Sequence, residues 1–252
     1  MGKIISVFNQ KGGVGKTTTS INLAAALGDM GKKTLIVDMD PQGNCTSGLG
    51  VDKRSEINII YDVLVGNTEI RDSIQTNIAK NLDIIPSNNN LAGFEIEYAN
   101  KEWQNVLKHK IAEIKEDYDF IFIDSPPSLG ILSIMSLNAS DEVLVPMQCE
   151  YYSLEGISQL FETIDLVKEN YNPNLKISGI VMCMYDGRTN LSLQVVEEVK
   201  AYFKDKVFST MISRNVRLAE APSHGLSILD YDRSSKGAKN YLDLAKEFLK
   251  RI

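Results

Sequence analysis

Cysteine is scarce in this chain of 252 residues: Cys45, Cys149 and Cys183 stand far apart and are odd in number. Such a set builds no disulfide framework and lacks the paired spacing of a zinc site, so a reducing cytoplasm is the expected setting. Positive charge is also in short supply, with 27 Lys and Arg against 33 Asp and Glu and a formal net charge of −6. That balance excludes wholesale coating of nucleic acid, and any contact of that kind must come from a local patch. No apolar run approaches the length of a membrane span, and Met1-Gly2-Lys3 leads straight into an apolar strand where a secretory signal would need a longer greasy segment. No Pro-, Gly- or Ser-rich linker, repeat or low-complexity tract divides the chain, so residues 1–252 are read as one domain.

What the chain does have is a glycine-rich loop with a lysine at each end: Lys11-Gly12-Gly13-Val14-Gly15-Lys16-Thr17-Thr18. It follows a short apolar run, residues 3–9, of the kind a parallel sheet buries on both faces, and it precedes a helical stretch from Thr17 to Leu27. Glycines let successive backbone N–H groups turn inward without a Cβ in the way, and the helix N-terminus adds unpaired donors and partial positive charge at the same spot. This combination cradles phosphate, with Lys16 reaching the β- and γ-phosphates and the Thr17 hydroxyl placed for Mg²⁺. The chain is therefore expected to bind a nucleoside triphosphate. The strict phosphate-loop pattern wants a further glycine where Gln10 stands.

Further strands are expected at residues 34–38, 82–86, 120–124, 142–146 and 177–182, and near 227–229, with helices at 103–117, 154–171 and 193–204 between them. Strands separated by helix-length segments imply right-handed crossovers, giving an α/β fold with a mostly parallel twisted sheet flanked by helices on both faces. Ligands in such sheets collect beyond the carboxyl ends of the strands. The acids of the sequence fall there: Asp38 and Asp40 after the second strand, and Asp124 after Phe120-Ile121-Phe122-Ile123. Asp124 sits where a carboxylate would hold Mg²⁺ through water.

The Lys-Gly-Gly-x-Gly-Lys-Thr-Thr loop resembles the deviant Walker A box of the ParA/MinD group of P-loop ATPases. The resemblance extends along the chain and sharpens toward the ParA/Soj partitioning branch at residues 38–44, 124–130, 146–152 and 214–225. It implies an ATP hydrolase that takes ATP or ADP with Mg²⁺, along residues 11 to 18 (Lys11, Gly12, Gly13, Val14, Gly15, Lys16, Thr17, Thr18). It implies that Lys11 crosses a homodimer interface to touch the phosphates of the other subunit, that Asp38 lies near the metal, and that Asp40 orients the attacking water. It further implies ATP-dependent binding of double-stranded DNA without sequence preference, through Arg188 and Arg217, and stimulation by a ParB/Spo0J-type centromere-binding partner. The expected form is the short one without an N-terminal helix-turn-helix domain, cytoplasmic and nucleoid-associated, segregating a chromosome or plasmid.

Three other readings stay in view. A MinD-like membrane ATPase would use the amphipathic C-terminal segment, where Tyr241, Leu242, Ala245, Phe248, Leu249 and Ile252 recur at helical spacing; that segment is read here as a core helix, with no stable membrane association. An iron–sulphur reductase of the nitrogenase type would need cysteine ligands. A ParA-like protein that positions some other cargo would share the whole nucleotide loop.

Overall fold

In the computed structural model, residues 2–55, 57–150 and 152–252 are described, with residues 152–155 as helix backbone only. Met1, and Tyr151 of the stretch 146–152 singled out above, lie outside the described residues. The strands are β1 (Lys3–Val7), β2 (Thr34–Asp38), β3 (Gln75–Ala79), β4 (Leu82–Ile85), β5 (Phe120–Asp124), β6 (Glu142–Gln148) and β7 (Lys176–Cys183). The α-helices are α1 (Lys16–Asp29), α2 (Asn44–Gly48), α3 (Ile60–Leu64), α4 (Leu91–Tyr98), α5 (Val106–Ala112) and α6 (Ile131–Ala139). They continue as α7 (Tyr152–Asn170), α8 (Asn190–Phe203), α9 (Val216–Glu220), α10 (Ile228–Tyr231) and α11 (Lys236–Arg251).

The sheet runs β3-β4-β2-β5-β1-β6-β7 and is parallel throughout except for β3, which pairs antiparallel with β4 at one edge. Alternate residues of the central strands feed opposite faces, as a period of two requires. Ile5, Val7, Phe120 and Phe122 join α1 and α11 in one buried cluster, while Ile121 and Ile123 pack with Leu107 and Ile111 of α5 in another. A third cluster sets Val143, Val145, Ile180 and Met182 against α7 and α8. Burial on both faces explains why these strands read as unbroken apolar runs.

Two expectations need correction, and one strand, β3, was not expected. Residues 227–229 form no strand: Ser227 caps α10, its hydroxyl accepting from Asp230 N, and Ile228 N donates to the Asn22 side chain 2.7 Å away. The segment that lies beside β7 is instead 207–213, tied by isolated bridges at Val207 and Ser213. The helix expected over 103–117 is shorter, because α5 spans Val106–Ala112 and a separate 3₁₀ turn covers Lys115–Asp117. The polar edge strand β3 gave no apolar signal, and Asn77 within it has φ of 57°.

The C-terminal α11 is a core helix, as read from the sequence. Tyr241, Leu244, Ala245 and Phe248 are buried, and the Phe248 ring lies 5.7 Å from Phe120, 6.0 Å from Phe122 and 6.5 Å from Phe208, centroid to centroid. Among the described residues no helix is long and apolar enough to cross a membrane. Phe248→Ala should therefore cost about 3–5 kcal/mol in urea unfolding, whereas a loss below about 1 kcal/mol would contradict this packing.

Candidate nucleotide-binding site

The ends of β1, β2 and β5 meet at the start of α1. Gly15 caps that helix at φ 97°, and Gly13 stands at φ 74°, left-handed conformations that strain any residue with a Cβ. With the loop wound this way, Lys16 folds back and its Nζ donates to Lys11 O at 3.0 Å. Gly12, Gly13, Gly15, Lys16, Thr17, Thr18 and Asp40 line one cavity of about 270 Å³, together with Asn44, Pro127 and Met184. Val14, by contrast, turns into the core and is 1% exposed.

The electrostatics of the cradle are set by two acids. Asp38 and Asp124 are in register as the last residues of neighbouring parallel strands, and both are fully buried. Burial pushes the Asp38 carboxyl up to about 7 and the negative charge of Asp124 adds to this. Burial also raises Asp124 to about 6, against the hydrogen bonds it accepts from Ser20 and Thr17. Thr17 Oγ1 donates to Asp124 Oδ2 at 2.8 Å and Ser20 Oγ donates to Asp124 Oδ1 at 2.7 Å. Lys16 acts on Asp124 as a cation, and its own burial lowers its pKa more than Asp124 and Asp40 raise it. Two buried carboxylates with one desolvated lysine leave negative charge uncompensated, which suits a divalent cation. Thr17 and Asp124 are the residues that could hold such a cation. Asp38 sits beside them but spends both oxygens on its own chain, Oδ2 on Thr46 N and Oγ1, and Oδ1 on Asp40 N.

A second cavity of about 260 Å³ adjoins the cradle through Gly15, Thr18 and Met184, walled by Cys183, Ile212, Leu218 and Tyr241 and by Ser213, Arg214 and Asn215. Its walls are mainly apolar, and it could take the base of a nucleotide whose phosphates lay in the cradle. A larger groove of about 780 Å³, bordered by Lys53, Asn88 and His224, shares no residue with the cradle. All three cysteines are buried, Cys149 and Cys183 with thiols pushed up to about 12, and no group of three or more His, Cys, Asp or Glu that could hold a metal occurs among the described residues.

The other expected residues lie at the rim. Lys11 has a side chain 42% exposed, with Nζ 3.4 Å from Glu150 Oε2. Arg188 and Arg217 are not in the cradle, but the segments leading to them are joined, because Tyr185 bridges to Ser213 and Arg214 N donates to Tyr185 O. Each arginine is held by an acid: Arg188 by both oxygens of Asp186 at 2.9 and 2.7 Å, and Arg217 by Glu220 at 2.8 Å. Sequence reasoning missed Ser20, Gln148 and Met184. Ser20 stands one helical turn after Lys16, a spacing that signals a shared face. Gln148 donates to Gly13 O at 2.8 Å and Met184 adopts φ of 54°, features that only the folded chain displays.

The profile of the AAA domain family matches residues 2–177. The chain is 55% identical to the sporulation initiation inhibitor protein Soj of Bacillus subtilis, covering 98% of each chain. It is 49% identical to the chromosome-partitioning ATPase Soj of Treponema pallidum, over all of this chain and 98% of that one. This chain belongs to the ParA/Soj family of ATPases. The same fold occurs in a solved Mycobacterium smegmatis protein described as cobyrinic acid a,c-diamide synthase with bound ATP analog and magnesium. That likeness has a TM-score of 0.87 and 33% identity, covering 99% of this chain and 95% of the other. As a member of the partitioning ATPases, the chain hydrolyses ATP.

The acid pair dictates a pH dependence. Both carboxyls are raised in the folded chain above their ordinary value of 3.8, so folding takes up protons between about pH 4 and 7 and stability falls as pH rises through that window. The melting temperature of the nucleotide-free protein is expected to drop from about pH 5 to pH 8, and Mg²⁺ with a non-hydrolysable ATP analogue should flatten the drop by neutralising the pair. A slope unchanged by Mg²⁺ and nucleotide would show that the pair is not the cation site.

Proposed function

We propose that this ATPase forms an ATP-dependent homodimer that binds double-stranded DNA without sequence preference and segregates a replicon with a ParB/Spo0J-type centromere-binding partner. One observation carries the reading: the segment that presents Arg217, running from residue 213 into α9, also walls the slot beside the phosphate cradle, at Ser213, Arg214, Asn215 and Leu218. A base lying in that slot would press on the very segment that aims the arginine outward. The neighbouring Arg188 loop is tied to the same segment through Tyr185 and Ser213.

The residues divide the work by charge. Lys16, bonded to the loop it must cover, neutralises phosphate oxygens from within the subunit, and Asp40 orients the attacking water. Lys11, exposed at the rim, reaches the phosphates of the second subunit, leaving Glu150 to do so. Mg²⁺, when bound at Thr17 and Asp124, supplies charge neutralisation across the phosphates. Asp38 holds the segment that carries Asp40. Dimerisation doubles the exposed arginines, which is how an acidic chain gains a DNA surface in one nucleotide state and loses it after hydrolysis. Their acid partners are no obstacle, since exposed ion pairs are weak and a phosphate can replace a carboxylate.

The burial of the apolar face of α11 supports this reading over a MinD-like one, because the membrane-seeking segment would have to leave the core. DNA binding by the purified protein with ATP, with ADP and without nucleotide tests the proposal. Binding is expected only with ATP, retained by Asp40→Ala and lost by the double variant Arg188→Ala/Arg217→Ala. Four arginines per dimer should give a log–log salt slope of roughly −3.6. Absence of binding in every nucleotide state at low salt would contradict it.

A further inference from the structure

The segment that carries Asp40 is held from behind by two buried hydroxyls. Thr46, in α2, donates to Asp38 Oδ2 from its backbone N at 2.8 Å and from Oγ1 at 2.7 Å. The same Oγ1 accepts from Ser87 N at 2.8 Å, just past the end of β4. Ser87 Oγ then donates to Asp40 O at 2.9 Å, and Asp40 N donates to Asp38 Oδ1 at 3.1 Å. These bonds close a ring through Asp38, Thr46, Ser87 and Asp40, and both Thr46 and Ser87 are 0% exposed. A donor stranded at such depth is costly, so the members of the ring hold or fail together.

Contact reinforces the ring. At Gly43, with φ of 57°, a Cβ would lie 2.6 Å from Ser87 O, so the turn after Asp40 is pressed against the Ser87 backbone. Gly43 N donates to Asp40 O at 2.8 Å, and Gln42 N donates to Asp40 Oδ1 at 2.9 Å. Asp40 is thus pinned at its N–H, its carbonyl and one carboxylate oxygen, while its side chain lines the cradle beside Lys16 and Thr17. Neither Thr46 nor Ser87 lines that cavity.

We infer that Thr46 and Ser87 are positioning residues for hydrolysis: they fix the backbone of Asp40 and so aim its carboxylate, without touching nucleotide themselves. The inference rests on the reading of Asp40 as the residue that orients water. Misplacing a reacting group by an ångström costs on the order of a hundredfold in rate. ATP hydrolysis by the full chain, with nucleotide affinity measured on a fluorescent ATP analogue, separates the possibilities. Ser87→Ala and Thr46→Val should lower kcat about ten- to a hundredfold with KM and affinity within about threefold of wild type. Thr46→Ser, which keeps the hydroxyl, should restore kcat. If Thr46→Val does not fold, Ser87→Ala decides alone, since it leaves the bonds from Thr46 to Asp38 in place. A kcat for Ser87→Ala within about twofold of wild type, beside an inactive Asp40→Ala, would overturn the inference. So would a rise in KM that parallels the fall in kcat, which marks general damage to the site. Wild-type rates in Asp40→Ala would instead remove the role of Asp40 itself, and the inference with it.

Discussion

Two carboxylates buried side by side organise this protein. Asp38 and Asp124 end neighbouring parallel strands in register, so the sheet itself forces like charges together at full burial. Removing a single carboxylate from water costs several kcal/mol before any repulsion is counted. The chain answers with donors from three directions: Thr17 and Ser20 from α1, Thr46 from α2, and the backbone of Asp40. Each donor is thereby fixed in place, and the remaining deficit of positive charge is what a divalent cation, arriving with its nucleotide, would fill. The site is electrostatically incomplete without its ligand.

The same constraint links distant parts of the chain. The phosphate loop sits over Asp124 through α1, while the segment with Asp40 is suspended from Asp38. The apolar slot joins the cradle to residues 213–215 and α9, and through Tyr185 to the loop of Arg188. A change in what occupies the cradle therefore has a short mechanical route to the two arginines. Lys11 completes the pattern from the rim: its carbonyl is engaged by Lys16 while its own ammonium is left to an exposed glutamate.

Much of this was legible in the residues. The lysine-flanked glycine loop, the acids at strand ends and the apolar strands buried on both faces follow from period, turn chemistry and charge. The fate of Ser227-Ile228-Leu229 was not, because three apolar-leaning residues suit a strand and a short helix equally, and the deciding bonds come from Asn22 and Asp230. Strand β3 escaped notice since an exposed edge carries no apolar alternation. The ring through Thr46 and Ser87 joins residues 41 positions apart, and nothing in local spacing announces it. The amphipathic end of the chain shows the limit most plainly: its period fitted a membrane face or a core face, and only contact with Phe120, Phe122 and Phe208 separates them.

The central proposal is that the negative charge of bound ATP is met across a subunit boundary, by Lys11 of the second subunit. Sedimentation velocity of the wild-type chain, with Mg²⁺ and a non-hydrolysable ATP analogue and then with Mg²⁺ and ADP, tests it most directly. The account predicts the mass of a dimer with the analogue and of a monomer with ADP. A monomer in both states, or a dimer in both, would contradict it.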